Sequence, residues 1–410
     1  MGNRIRDFNI QIINFKFKIL SLEFRISSNI AVCLLSVFIA YCLLPIACHI
    51  SFAEELKPVK IGVVGPETGD DAETGLMTLA GVELAAKELN DAGGIDGKKI
   101  EVVHYDNKSE SQLTQVVVQK LVKEDVIAII AAPTGWSTFG PVWLANAAKV
   151  IFMSAGSKRH IGRSGPFIFR NSLSDDIGTE RAIQYAVDKL KYNKFVIITS
   201  MRDDETSLQI GGLFRGAIIK KGARIVSETH LFMGATMEEA IAQLKKDAKG
   251  AIDAVIFAGD DAAAVDVLQE LRRQGIKAPL IGGDILFTDE FLKNGDELTV
   301  GTIIYAGFFP ADNSPVVSRF VSEYKKRTGK EPGVYPAVAY DSFMLIANAI
   351  KQAKSTEPVK VRDSLSKIKD FQGVTGKITM DTNGEAMKQP YILHVVKKEK
   401  GVGFEPVGGE

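Results

Sequence analysis

From Val59 onward, short apolar runs alternate with longer amphipathic stretches, and this alternation restricts the fold more than any other feature of the chain. Residues 59–64, 100–105, 126–131 and 150–153 form a first series of runs; 195–199, 224–227, 254–258, 280–282 and 302–306 form a second. The runs are apolar almost throughout, the pattern of strands covered on both faces. Between them, Val82, Ala85, Ala86 and Leu89 recur at helical spacing within 79–90, and Gly93-Gly94 supplies the stop. Residues 262–274 repeat the pattern with Val265, Leu268 and Leu271 on one face. Strands alternating with helices predict an α/β chain built on parallel sheets. Two series predict two doubly wound, Rossmann-like lobes, and 410 residues suffice for both.

The later part of the chain does not add a third series. It reads as helices at 315–328 and 337–353, then strands at 376–380 and 391–396. The turn signal Asp381-Thr382-Asn383-Gly384 lies between those strands, but the gap is too long for a tight hairpin. The lobes are expected to share the chain through crossing segments near 174, 304 and 388. That gives an N-terminal lobe of 58–174 and 305–388, and a C-terminal lobe of 175–304 and 389–410.

The first 53 residues have a different character. Arg4, Arg6, Lys16, Lys18 and Arg25 precede an apolar stretch over 30–50, followed by Ser51-Phe52-Ala53 and then Glu54-Glu55. A basic segment, an apolar segment and a small-x-small site predict a signal peptide over 1–53, cleaved near Ala53. That implies a periplasmic or otherwise extracytoplasmic location. Two alternatives stay open: an uncleaved anchor, since about 20 apolar residues span a bilayer, and lipidation at Cys48. The basic stretch is long, so translation starting downstream of Met1 also fits. Cys33, Cys42 and Cys48 are the three cysteines of the chain. Cleavage therefore leaves no thiol for a disulfide, a metal site or nucleophilic attack. Removing the five basic and two acidic residues of this segment from 50 of each leaves 45 against 48. A balance so close to neutral gives no steer towards nucleic acid.

Local signatures of catalysis are missing. The chain has no phosphate-binding Gly-x-x-x-x-Gly-Lys-Ser/Thr loop, no Gly-x-Gly-x-x-Gly and no Gly-x-Ser-x-Gly elbow. His104, His160, His230 and His394 occur singly, without the spacing or the carboxylate partners of a zinc site. The expectation is a binding protein that uses no cofactor and is not an enzyme. An active site assembled from distant residues is the alternative.

Ligands of doubly wound sheets sit beyond the carboxyl ends of the strands. In the first series those ends carry Pro66-Glu67-Thr68-Gly69, Asp106-Asn107, Pro133 through Thr138, and Ser154-Ala155-Gly156-Ser157. Gly135, Ser137, Thr138 and Ser157 offer hydroxyls and bare backbone N–H groups, which suit a carboxylate. For any single Ser or Thr here, ordinary helix capping is the favoured reading. Trp136 offers an apolar wall or plain packing. The second series ends in Asp203-Asp204-Glu205, Asp260-Asp261 and Asp284, carboxylates that favour a cation. Asp261, just before the 262–274 helix, is expected to be its N-cap. Asp260 and Asp284 stand beside Gly259 and Gly282-Gly283, where something can approach the backbone closely.

These residues carry a resemblance. Residues 59–65, Ala80-Gly81-Val82-Glu83-Leu84-Ala85, Asn90-Asp91-Ala92-Gly93-Gly94-Ile95-Asp96-Gly97 and Val103-His104-Tyr105-Asp106-Asn107 look like the opening of the periplasmic leucine/isoleucine/valine-binding proteins. These are type I substrate-binding components of ABC importers. The likeness runs over nearly all of 58–400 and includes Gly222-Ala223, 253–259 and Gly275-Ile276. It implies a type I periplasmic binding fold that captures an amino acid or related small polar ligand. It also implies delivery, by a monomer, to a membrane permease. A sensing subunit serving a separate signalling partner is the alternative.

Carried over, the family's ammonium-receiving acid falls on Asp284, and its aromatic positions fall on Thr74 and Asp260. Its carboxylate-binding hydroxyl falls near Gly135, with Trp136, Ser137 and Thr138 adjacent, and the next such position falls near Ser157. The family's Tyr-Gly pair near 204–207 is missing. The aromatic walls around an aliphatic side chain are therefore not reproduced, and a more polar or cationic ligand is implied.

Overall fold

The apolar runs fold into strands shielded on both faces by helices, as their composition requires. The computed structural model describes residues 57–200, 204–231 and 236–407, without the side chains of Trp136, Asp204 and Glu205. The expected signal peptide, its cleavage site at Ala53 and the three cysteines lie outside the described residues, as does Asp203.

The first sheet contains β1 (Val59–Gly65), β2 (Ile100–Asp106), β3 (Ala128–Ala131), β4 (Ile151–Ala155) and β5 (Ile168–Asn171). Its order is β2-β1-β3-β4-β5 and every pairing is parallel. Helices Ala72–Asp91 and Val334–Ala353 cover one face, and Ser111–Lys123 with Val142–Ala147 covers the other.

Five more parallel strands follow: β6 (Lys194–Ser200), β7 (Arg224–Leu231), β8 (Ala254–Ala258), β9 (Leu280–Gly282) and β10 (Ile303–Ala306). Then come β11 (Phe371–Gly373), β12 (Gly376–Met380), β13 (Ala386–Met387), β14 (Tyr391–Lys397) and β15 (Val402–Pro406). The second sheet runs β15-β14-β10-β9-β8-β6-β7, with β14 antiparallel to both β10 and β15. Strands β11, β12 and β13 form a small antiparallel sheet.

The chain passes between the two large sheets after Asn171, after Ala306 and between Met387 and Tyr391. The middle passage falls later than the expected 304. Ile303 and Ile304 pair with β9, and Ala306 still pairs with Tyr391, so β10 is held in the second sheet to its end.

Strand β5 is absent from the apolar runs read in the sequence, and it carries a charged residue, Arg170, in its interior. Arg170 is nonetheless fully buried. Its guanidinium donates to the Glu385 carboxylate, to the Ser157 carbonyl at 2.8 Å and to the Ser174 hydroxyl at 2.5 Å. Paired and hydrogen-bonded in this way, a charge can occupy a strand interior. Two of the singly occurring histidines also gain carboxylate partners. His104 Nδ1 lies 2.8 Å from Glu67, and His160 Nδ1 lies 3.4 Å from Glu385.

A close backbone approach holds the two helices on one face of the first sheet. A Cβ at Gly81 would stand 2.3 Å from the Pro336 carbonyl oxygen, so only glycine permits the contact. Among the described residues no helix is long and apolar enough to cross a membrane.

Candidate functional site

The carboxyl ends of parallel strands from both large sheets meet at one cavity of about 230 Å³. From the first sheet come Gly156 and Lys158, beyond β4, and Ser172 and Leu173, beyond β5. From the second come Asp284 and Ile285 beyond β9, with Thr206 and Ile210 from the helix Asp204–Lys220. Gly307, Val334, Tyr335 and Val338 complete the wall. A second chamber of about 540 Å³ shares Asp284, Gly307 and Val334 with the first and is lined by Phe287, Phe308, Pro310 and Pro332.

An ion pair bridges the two sides of the inner cavity. The Lys158 ammonium donates to both oxygens of Asp284, at 2.7 and 2.9 Å, and to Asp175 Oδ1 at 2.9 Å. The Tyr305 hydroxyl donates to the same Asp175 oxygen at 3.0 Å. Burial works against the charge on Lys158, but Asp284 and then Asp175 outweigh it and raise its pKa. Burial raises the pKa of Asp284; Lys158 opposes the rise and Asp175 adds to it. Burial and the same two carboxylates push the Tyr305 hydroxyl well above its ordinary value, so it stays a donor.

Local structure fixes each member of this cluster. Asp175 opens the helix Asp175–Asp188, where an acidic first turn suits the positive end of the helix dipole. One turn further, a Cβ at Gly178 would lie 2.4 Å from the Tyr305 ring, so the missing side chain is what admits the tyrosine. Asp284 begins a single 3-10 turn directly after the short β9.

Of the residues singled out in the sequence, Asp284 lies at the cavity, facing Lys158 rather than open space. Asp260, not Asp261, is the N-cap of the helix Asp261–Arg273, and its carboxylate accepts from the Ala263 N–H at 2.7 Å. The expected cap is therefore displaced by one residue. Asp261 is the first helical residue and accepts from the Thr288 hydroxyl at 2.7 Å. Ser157 is buried, and its carbonyl is bound by Arg170. Ser137 donates to the Thr134 carbonyl at 2.6 Å beside Gly135, whose φ is +65°. Thr138 is buried against Thr134 and Asn107. Thr74 sits in the first turn of the helix Ala72–Asp91 and binds Thr78 through its carbonyl. The Trp136 side chain lies outside the described residues.

Lys158, Asp175, Tyr305 and Tyr335 were not found by the sequence reading. Lys158 follows Ser157 in a strand-end loop whose local signal lies in its hydroxyls and glycines. Asp175 adjoins the crossing expected near 174. The two tyrosines carry no local signal.

A family model described as periplasmic binding protein matches residues 58–401. This chain belongs to the periplasmic binding protein family. A curated relative, the amino acid binding protein of Pseudomonas aeruginosa, is 30% identical over 350 residues, covering 83% of this chain and 90% of the relative. Among solved structures, a branched-chain amino acid transporter substrate binding protein of Streptococcus pneumoniae in complex with isoleucine aligns with a TM-score of 0.65. It is 29% identical and covers 85% of this chain and 100% of its own. A putative branched-chain amino acid ABC transporter protein from Rhodospirillum rubrum aligns at TM-score 0.76 with 21% identity, over 85% of this chain and 100% of that one. The last match speaks to the fold alone, and the fold is the type I periplasmic binding fold.

In this periplasmic binding protein, then, the cavity lies where strand ends from both large sheets gather. Members of the family bind solutes outside the cytoplasm, and the family is one of binding proteins rather than enzymes.

Proposed function

We propose that this protein captures an amino acid or a related small polar solute between its two lobes and hands it, unaltered, to the permease of an ABC importer. The observation that carries this reading is the cavity lined from both sheets, with Lys158 on one side and Asp284 on the other. The similarity to the amino acid binding protein of Pseudomonas aeruginosa and to the isoleucine-bound protein of Streptococcus pneumoniae supports the solute class. Lobes joined by three passages can close on a solute as a hinge, moving it from water to an enclosed site. Gly156, Lys158, Ser172, Thr206, Asp284 and Tyr335 are the proposed contacts. Export is proposed to remove residues 1–53, leaving Glu54 first.

A thermal-shift screen over amino acids, amides, polyamines and small carboxylates tests the capture. A solute at a hundred times its dissociation constant adds about 2.7 kcal/mol of stability. Recovery of that solute chemically changed would overturn the non-catalytic reading. N-terminal sequencing of exported protein tests the cleavage.

A further inference from the structure

The geometry points to Lys158 as the residue that selects the ligand's charge: the cavity takes a small, apolar-tailed carboxylate that carries no α-ammonium group. This rests on the solute-capture reading above and narrows its ligand class.

Asp284 is where an acidic receiver for a ligand ammonium was expected, but the chain supplies that cation itself. Both Asp284 oxygens accept from Lys158, and Asp175 holds the same ammonium from a third direction. Exposure decides which charge a solute meets. The Lys158 side chain is 42% exposed, whereas Asp284 is 19% and Asp175 only 6% exposed. The lysine is the most exposed member of the cluster, and both oxygens of Asp284 are already engaged by it. A ligand ammonium would have to displace Lys158 from short charge-assisted bonds while repelled by it. A ligand carboxylate can instead take over one of the two Lys158 bonds to Asp284, leaving the ammonium held by both Asp284 and Asp175.

Two carboxylates against one ammonium leave one negative charge in formal excess, and the protein answers it without a ligand. The Tyr305 hydroxyl donates to Asp175. Leu173, Ile210, Ile285, Val334 and Val338 give much of the remaining wall an apolar surface. Ile285 is a large hydrophobe left 41% exposed there, the kind of surface a ligand's apolar tail would cover.

The test is titration calorimetry of the full mature chain with matched trios that share a carbon skeleton. Each trio holds an α-amino acid, its α-keto acid and the saturated acid, in branched aliphatic, aromatic and short aliphatic versions. We expect the wild type to bind a keto or saturated acid at least tenfold more tightly than the corresponding amino acid. Lys158→Met should weaken the acid at least tenfold and narrow or reverse the preference, and Lys158→Arg should keep it. Wild type binding the amino acid more tightly overturns the inference but leaves solute capture standing. No binding by any acid of the three trios also overturns it. Solute capture itself fails only if the wider screen shows no ligand at all. The wild-type comparison decides the matter even if Lys158→Met does not fold.

Discussion

Arg170 and Glu385, 215 positions apart in sequence, form a buried ion pair that fastens the last strand of the first sheet to the segment leading back into the second. Glu385 also accepts from the Gly162 N–H at 2.8 Å, and an isolated bridge joins the two residues' backbones. The pair lies next to two of the three passages between sheets, so it fixes the frame from which the cavity loops project.

Breaking that pair from one side should be expensive. Glu385→Ala leaves a buried guanidinium without its counter-ion, and unfolding by urea should show a loss of about 3–5 kcal/mol. Replacing both members with Arg170→Met and Glu385→Leu should recover part of the loss. Equal stability of the single variant and the parent would show that the pair contributes nothing.

Gly178→Ala tests the packing that seats Tyr305. On an open helix surface the change would stabilise by up to about 1 kcal/mol. Here the new methyl meets the ring at 2.4 Å, and overpacking of this kind costs about 1–3 kcal/mol. The measured sign separates the two effects. A fall in melting temperature, partly relieved by Tyr305→Leu, is expected.

The carboxylates at the start of the Asp261–Arg273 helix divide their roles. Asp260→Ala removes the side-chain acceptor from Ala263 and should lower stability by about 1 kcal/mol. Its solute affinity should match the parent's in titration calorimetry. A tenfold affinity loss with unchanged stability would instead make Asp260 a ligand contact.

Lys388 gives stability a distinct pH dependence. It is 2% exposed, and burial lowers its pKa to about 8 despite the opposing pull of the Asp341 carboxylate. Its amine donates to the Thr375 hydroxyl at 2.6 Å, and Thr375 in turn is held by Asp341. The folded pKa lies below the ordinary 10.5, so between about 8 and 10.5 the unfolded chain binds the proton more readily. Stability should therefore rise with pH across that window, by roughly 3 kcal/mol for this group. Denaturation midpoints recorded from pH 7 to pH 10.5 should show the rise in the parent and lose it in Lys388→Met.

What the sequence determined by itself was the repeated local order. Short continuous apolar runs such as those over 59–64 and 254–258, set between amphipathic stretches, read as strands with both faces covered, and helical spacing at Val82, Ala85, Ala86 and Leu89 marks a helix without reference to anything distant. Two such series, and a resemblance spread over their length, were enough for the fold and the solute-binding class. The polar interior was decided by tertiary structure. Nothing local marks Arg170 as a buried strand residue, because its counter-ion, Glu385, arrives from far along the chain. Asp284 reads as a free acceptor until Lys158, 126 positions away, closes on it. A charge is read correctly only together with its counter-charge. Partners brought together from two sheets leave no periodicity in the sequence, so neither the owner of the cavity's cation nor the residue that caps a neighbouring helix could be settled before the chain was folded.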